Sequence, residues 1–165
     1  MSISLIAPTT KSMPMLLDLV NELFEYEVLS PCPIETQDAL QQLIKNPELG
    51  QAWFLAITEQ DHTILIGHVI LSYSFSLEFG GRMAIIDQIY LKPEWRNQGI
   101  GTQFFPLVEH QLHKVQTKAI SLEVNIGNKD ARRFYERHEF TPHRQFCVMT
   151  KRLSPTPNMT LEMVS

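Results

Sequence analysis

A glycine-containing turn with the sequence RNQGIGT, residues 96–102, separates a strand-like apolar run over residues 83–91 from a helix-like run over residues 103–118. Gly99 and Gly101 allow the backbone to turn tightly and to approach a ligand closely. Several N–H groups then point outward at the start of a helix, where the helix dipole favours anions. The turn lacks the third glycine of the dinucleotide fingerprint and the Gly-Lys-Ser/Thr of a Walker A loop, so it predicts a pyrophosphate site of another kind.

The side chain of Arg96 adds a fixed positive charge beside these N–H groups. Taken alone, the turn is equally well interpreted as a flexible connector that binds nothing. The residues predicted to contact a pyrophosphate are Arg96, Asn97, Gln98, Gly99, Ile100, Gly101 and Thr102.

A second group of residues lies downstream of the turn. It comprises residues 122–124 (Leu-Glu-Val), Asn128, Ala131, Phe134, Tyr135 and Phe140. Together with the turn, these residues resemble the GNAT superfamily of acyl-CoA-dependent N-acetyltransferases between about residue 85 and residue 140. The resemblance implies that the chain moves an acetyl group from acetyl-CoA to a primary amine, in a small molecule or a peptide, through a tetrahedral intermediate.

Hydrophobic periodicity and turn residues predict an α+β domain around a mixed, mostly antiparallel sheet. The resemblance implies about seven strands flanked by about four helices, with the sheet splayed at the acyl-CoA site. The predicted strands cover residues 2–7, 51–58, 63–73, 82–91, 119–125 and 144–153, and the predicted helices cover 13–28, 36–45 (capped by Thr36), 99–118 and 129–138.

Length and composition indicate one domain. The 165 residues are too few for two typical domains, so we predict a single domain over residues 1–153 and a flexible tail over 154–165. A net charge of −4 disfavours nucleic acid as a partner, and with it an acceptor on tRNA. The N-terminal residues show no charged region followed by an apolar core, and no apolar run approaches the ~20 residues of a membrane span, so we predict a cytoplasmic protein with no membrane partner and a possible homodimer. Cys32 and Cys147 have no metal-ligand spacing, so we expect reduced, buried or half-buried thiols and no metal.

The resemblance assigns three roles in binding acetyl-CoA and in the chemical step. A bulge in the strand before the glycine turn frees backbone N–H groups of Ile89, Tyr90 and Leu91 to bind the cofactor and polarise the thioester carbonyl. Tyr135 gives its proton to the departing thiolate, although one tyrosine on a helix is more often a packing residue. Asn128 binds the pantetheine arm, or else caps the helix that begins next to it.

Two carboxylates compete for the role of general base. Asp87 lies on the strand before the turn, where some polyamine-acetylating members of the superfamily place an acid. Glu123 lies on the next strand, and its offsets to Asn128 and Tyr135 match the ribosomal-protein N-terminal acetyltransferases, which favours Glu123. Either carboxylate is equally well explained as a strand residue that pairs with an arginine or faces solvent. Glu78, near a predicted hairpin, is the candidate for contact with the substrate.

Two positions depart from the superfamily pattern, and one alternative function stays open. The helix after Tyr135 ends in His-Glu-Phe over residues 138–140 rather than Gly-Phe, so its last turn must differ or carry strain. Pro106 lies in the first turns of the helix after the glycine turn and could kink it. The alternative to an enzyme is a module of the same fold that binds acyl-CoA without turnover, as a sensor or regulator.

Overall fold

The computed structural model describes residues 2–29, 32–60, 62–143 and 147–153. By its internal contacts the chain divides into two units, residues 1–125 and residues 126–165. The single domain predicted over residues 1–153 therefore stays a prediction. The tail predicted over residues 154–165 lies outside the described residues.

One mixed sheet with the spatial order β1-β2-β3-β4-β5 organises the first unit. Short turns join β2 to β3 and β3 to β4, so these pairs are antiparallel, whereas a helical crossover makes β5 parallel to β4. β1 pairs antiparallel with β2. The strands are β1 (Ser2–Ile6), β2 (Gly50–Glu59), β3 (His62–Ser76), β4 (Gly81–Leu91) and β5 (Ala119–Leu122).

The predicted fold class is confirmed, but the predicted count of seven strands is wrong for the described part of the chain, which forms five strands and four α-helices. The strand predicted over residues 144–153 accounts for part of the difference. Residues 147–153 have no regular secondary structure, and residues 144–146 lie outside the described range.

The helices are α1 (Met13–Tyr26), α2 (Pro33–Lys45), α3 (Ile100–Lys114) and α4 (Lys129–Arg137), with a short 3-10 helix at Pro93–Trp95. α2 begins before the predicted cap at Thr36, because Pro33 suits the first helical position and Cys32 precedes it. The Thr36 hydroxyl donates instead to the Cys32 carbonyl at 3.1 Å, inside the helix. α3 continues through the exposed Pro106, as predicted.

The core of the first unit is apolar where α1 and α3 pack on the sheet. α1 places one leucine- and valine-rich face against the sheet, including Phe54 of β2 and Tyr90 of β4. α3 buries its own apolar face, with Phe105 and Val108 fully enclosed. The α1 residues in this cluster are Leu16, Leu19, Val20 and Leu23. The framework therefore holds β4 and the start of α3, which flank the glycine turn, in a rigid setting.

Two further observations bear on the sequence predictions. Both free thiols, Cys32 and Cys147, are exposed, so their predicted burial is wrong. Cys32 is exposed because it stands in the surface segment just before α2. Of the helices that the structure describes, none has the length and apolar character needed to cross a membrane.

Candidate active site

The sheet opens between β4 and β5. The two strands pair only from Met83↔Ala119 to Ile86↔Leu122, after which the chain leaves β5 while β4 continues to Leu91. The edge of β4 beyond Ile86 therefore faces no neighbouring strand on this side within the described sheet. The stretch predicted to bind the thioester, Ile89, Tyr90 and Leu91, belongs to this open edge. Backbone groups without a strand partner there are available to a ligand.

A β-bulge lies in β4, at Asp87 rather than over residues 89–91. Ile70 of β3 pairs with Gln88 and Leu71 pairs with Ile86, so Asp87 is an extra residue without a partner on β3. The superfamily resemblance implies a bulge at Ile89, Tyr90 and Leu91, and the structure has it two residues earlier in the same strand. A bulge at the charged residue is favourable because it turns the carboxylate out of an otherwise apolar strand.

Asp87 and Glu123 come together where the sheet opens. They directly follow the last paired residues, Ile86 and Leu122, and both side chains are exposed. The pKa of Asp87 is raised, first because the surrounding protein removes its carboxyl from part of its water and second because the negative charge of Glu123 lies nearby. Among the ion pairs of the described residues, neither carboxylate has a basic partner. The two competing candidates for the base are therefore neighbours.

The glycine turn has the backbone geometry of an anion site. Asn97 and Gly99 both adopt left-handed conformations, with φ of 60° and 71°. Gly99 is also the N-cap of α3, and in the described chain no side chain caps this helix end. A Cβ at Gly99 would have no neighbour within 4 Å, so the space next to the backbone is open. The first N–H groups of α3 can therefore bind an anion from this side.

Two side chains of the turn form hydrogen bonds to backbone carbonyls of the protein itself. Gln98 Nε2 donates to the Glu94 carbonyl at 2.7 Å, and Arg96 Nε donates to the Leu91 carbonyl at 2.8 Å. The guanidinium carbon of Arg96 also lies 4.3 Å from the ring centroid of Tyr26, the last residue of α1. These contacts fasten the turn to β4 and to α1, so the backbone is its main ligand-facing element.

The contact between Arg96 and α1 belongs to a wider cluster that the sequence did not reveal. The guanidinium carbon of Arg96 lies 5.5 Å from the ring centroid of the buried Tyr90. Lys92 Nζ lies 3.8 Å from Glu22 Oε1 of α1. Burial and the Glu22 carboxylate raise the pKa of Tyr90, so this phenol stays neutral. No sequence spacing links α1 to β4, and only the fold brings these groups together.

Glu78 lies far from the carboxylate pair. It occupies the exposed turn between β3 and β4, before β4 begins at Gly81. The rise per strand residue places Asp87 roughly 20 Å along β4 from its start. Glu78 is therefore not brought to the amine that Asp87 and Glu123 could contact.

The second unit holds Asn128 and Tyr135. Asn128 Oδ1 accepts the N–H of Ala131 at 3.0 Å, so this side chain caps α4. The ring of Tyr135 is half-buried and lies 5.2 Å from the Phe134 ring centroid and 5.6 Å from that of Phe140. Both structural alternatives, a helix cap and an aromatic packing residue, are thus realised. Both residues can still bind a ligand. The helix cap uses the amide oxygen of Asn128 and leaves its N–H₂ group, and the ring contacts of Tyr135 do not involve its hydroxyl.

The predicted departure at the end of α4 takes the form of strain. Glu139 has φ of 66°, in the left-handed region that glycine adopts freely. The Phe140 N–H donates to the Tyr135 carbonyl at 3.0 Å, so the cap geometry is kept although glycine is absent. No group of three or more potential metal ligands occurs in the part of the chain that the structure describes.

Comparisons with known proteins agree with this architecture. The family model described as "Acetyltransferase (GNAT) family" matches residues 13–140. A comparison with curated proteins finds no match.

Solved structures are similar at low sequence identity. An integron cassette protein from the mobile metagenome of Cole Harbour Salt Marsh superposes with a TM-score of 0.74 at 21% identity, over 92% of this chain and 91% of that one. A possible acetyltransferase from Clostridium difficile 630 gives 0.74 at 16% identity, over 92% and 99%. A predicted acetyltransferase with acetyl-CoA from Clostridium acetobutylicum gives 0.72 at 16% identity, over 90% and 96%. These likenesses show the fold, and the family match over most of the chain shows that this protein belongs to the GNAT family of acetyltransferases and is an acyltransferase.

Proposed function

We propose that the protein transfers an acetyl group from acetyl-CoA to a primary amine, and that Asp87 is the general base. The observation that carries the proposal is the pair of carboxylates, Asp87 and Glu123, at the opening between β4 and β5. An alkyl ammonium with a pKa of about 10 is almost wholly protonated at neutral pH, so the reaction needs a base near the amine.

The structure favours Asp87 over Glu123 for this role, contrary to the preference drawn from the sequence offsets. A general base works best when its pKa lies close to the working pH. Partial loss of water from around its carboxyl, and then the charge of Glu123, raise the pKa of Asp87 from its ordinary value towards that range. Glu123 then acts through its charge, by making Asp87 more basic, and both acids attract a cationic amine.

The cofactor has a separate set of contacts in this proposal. The pyrophosphate binds the backbone N–H groups from Asn97 to Thr102, which the uncapped start of α3 and the open space at Gly99 support. Within the stretch from Ile89 to Leu91, the backbone N–H groups that point away from β3, towards the open edge, hold the pantetheine arm and polarise the thioester carbonyl. Asn128 contributes its amide N–H₂ to the pantetheine arm while its oxygen caps α4.

The chemical step forms one bond and breaks one. The neutral amine nitrogen attacks the thioester carbonyl carbon, giving a tetrahedral oxyanion that the N–H groups of β4 stabilise. Asp87 takes one proton from the ammonium before the attack, directly or through water, and the nitrogen releases its second proton to solvent as the tetrahedral intermediate collapses. The C–S bond then breaks, and Tyr135 gives its phenolic proton to the thiolate of CoA. Glu78, in the turn before β4, is a candidate contact only for a long acceptor. A cytoplasmic location and a homodimer stay predictions.

The test is an assay that follows free CoA thiol over a panel of primary amines. An acetyltransferase releases thiol only when an accepting amine is present, and Tyr135→Phe should bind acetyl-CoA normally with turnover lowered by about 10²–10⁴. Tight acetyl-CoA binding without amine-dependent thiol release from any member of the panel would instead identify an acyl-CoA-binding module.

A further inference from the structure

A polar pair lies inside the sheet next to the bulge. His68 of β3 is fully buried, with 0% of its surface exposed, and its ring centroid lies 5.8 Å from that of Tyr90. His68 Nε2 lies 3.0 Å from Oε1 of the half-buried Gln88. Gln88 directly follows the bulged residue Asp87 in β4.

The pair of His68 and Gln88 lowers the stability of the fold compared with two aliphatic side chains at the same positions. Burial lowers the pKa of His68 to about 4, so the imidazole is neutral at the pH of any ordinary assay. A neutral imidazole has one N–H, and Nε2 uses it to donate to Gln88 Oε1. The other nitrogen, Nδ1, is buried with no hydrogen-bond partner among the described residues. An unpaired buried acceptor is unfavourable, so the pair calls for a role other than stabilising the core.

The register of the strands indicates that role. Residues directly opposite each other on neighbouring strands share a face of the sheet, and Gln88 is opposite Ile70 on the face that packs against α1. If the bulge moved by one residue, Asp87 would take the place opposite Ile70. Its carboxylate would then enter the core instead of facing the opening between β4 and β5.

We propose that His68 and Gln88 are positioning residues, whose hydrogen bond holds Gln88 on the core face and thereby fixes the bulge at Asp87. The bond joins His68, which is opposite Tyr90, to Gln88, the first regularly paired residue of β4 after the bulge, so it holds the residue that borders the irregular position. The functional consequence rests on the role proposed for Asp87, because the bulge sets where that carboxylate and the N–H groups of β4 lie.

The test compares Gln88→Met with wild type and with Thr58→Val. Methionine keeps the length of glutamine and removes the bond to His68. Thr58→Val removes a cross-strand side-chain pair elsewhere, since the hydroxyls of Thr58 and Thr63 lie 3.4 Å apart between β2 and β3. The measurements are the NMR titration of the Asp87 carboxyl carbon, in the presence of the unchanged Glu123 that faces it, and the pH profile of kcat/KM.

Gln88→Met should stay folded, shift the Asp87 titration towards that of an ordinary exposed aspartate, and lower kcat/KM by about 10- to 100-fold. The double variant with His68→Leu should add little to this loss, because both changes remove one interaction. Thr58→Val should change neither measurement. An Asp87 titration in Gln88→Met identical to that of wild type would overturn the inference, whatever the activity. The titration can be measured without turnover. If the wild-type protein has no transferase activity, the proposed function is contradicted, and the NMR titration still decides this inference.

Discussion

Asp87 and Glu123 stand side by side, each one residue beyond the last paired position of β4 and β5, and the pKa of Asp87 is raised by partial loss of its water and then by the charge of Glu123. Two like charges held together at the edge of a sheet oppose folding. A pair of carboxylates that lowers the stability of the fold and has no basic partner is typical of a functional site. There, a group with a shifted pKa takes part in the chemistry.

The first prediction concerns stability. Because the folded state raises the pKa of Asp87 above its ordinary 3.8, the fold favours the protonated acid and loses stability as pH rises from 3.8 through the raised pKa. Asp87→Asn is neutral at every pH and should therefore raise Tm at pH 7, with the gain shrinking in more acidic buffer. Thermal unfolding followed by circular dichroism measures this. Asp38→Asn, at an exposed site in α2, is the control, and a gain that does not depend on pH would contradict the assigned cause.

The second prediction concerns the glycine turn. Gly99 and Gly80 have the same φ of 71°, and a Cβ at either would meet nothing within 4 Å. Glu at either position carries the same backbone cost, about 1–2 kcal/mol. Only Gly99→Glu should abolish acetyl-CoA binding in calorimetry, because its side chain enters the anion site with a negative charge. Equal affinities for the two variants would place the pyrophosphate elsewhere.

The third prediction concerns the contact between Arg96 and Tyr26. If Arg96 mainly holds the turn against α1, Tyr26→Leu should weaken acetyl-CoA binding by up to about tenfold, as Arg96→Met does, since cation–π contacts are worth roughly 0.5–2 kcal/mol. Tyr26→Phe keeps the ring and should bind normally. If only Arg96→Met weakens binding, and binding then depends less on salt, the guanidinium is a direct phosphate ligand.

The fourth prediction concerns the strained end of α4. Glu139 has φ of 66°, so Glu139→Gly should raise the free energy of unfolding by about 1 kcal/mol. Glu139→Ala keeps the Cβ and should bring no such gain. Chemical denaturation of the three proteins gives the comparison, and equal stabilities of the glycine and alanine variants would mean that the left-handed residue carries no strain.

Much of the fold was predictable because its signals are local. Periodic leucines mark α1, and Gly99 marks the end of the turn between β4 and α3. The start of α2 was placed too late because Thr36 looks like a cap, whereas Pro33 fits the first helical position better.

The candidate site was predictable only in part, because its geometry depends on register and on long-range contacts. Asp87 and Glu123 were both found in the sequence, but their proximity follows from parallel pairing. The bulge at Asp87 depends on how β3 and β4 align. A one-residue shift in that alignment produces no pattern in the local sequence that could predict it. The contact of Arg96 with Tyr26 joins α1 to the glycine turn, which no spacing predicts.

The pH dependence of kcat/KM in Asp87→Asn and Glu123→Gln tests the central claim most directly. With Asp87 as the base, Asp87→Asn should lose about 10²–10⁴ in kcat/KM at neutral pH and regain activity as the free amine accumulates. Glu123→Gln should lose less and move the acidic limb of the profile to lower pH, because the charge that raises the pKa of Asp87 is gone. A larger loss in Glu123→Gln, with the acidic limb intact in Asp87→Asn, would contradict the account and make Glu123 the base.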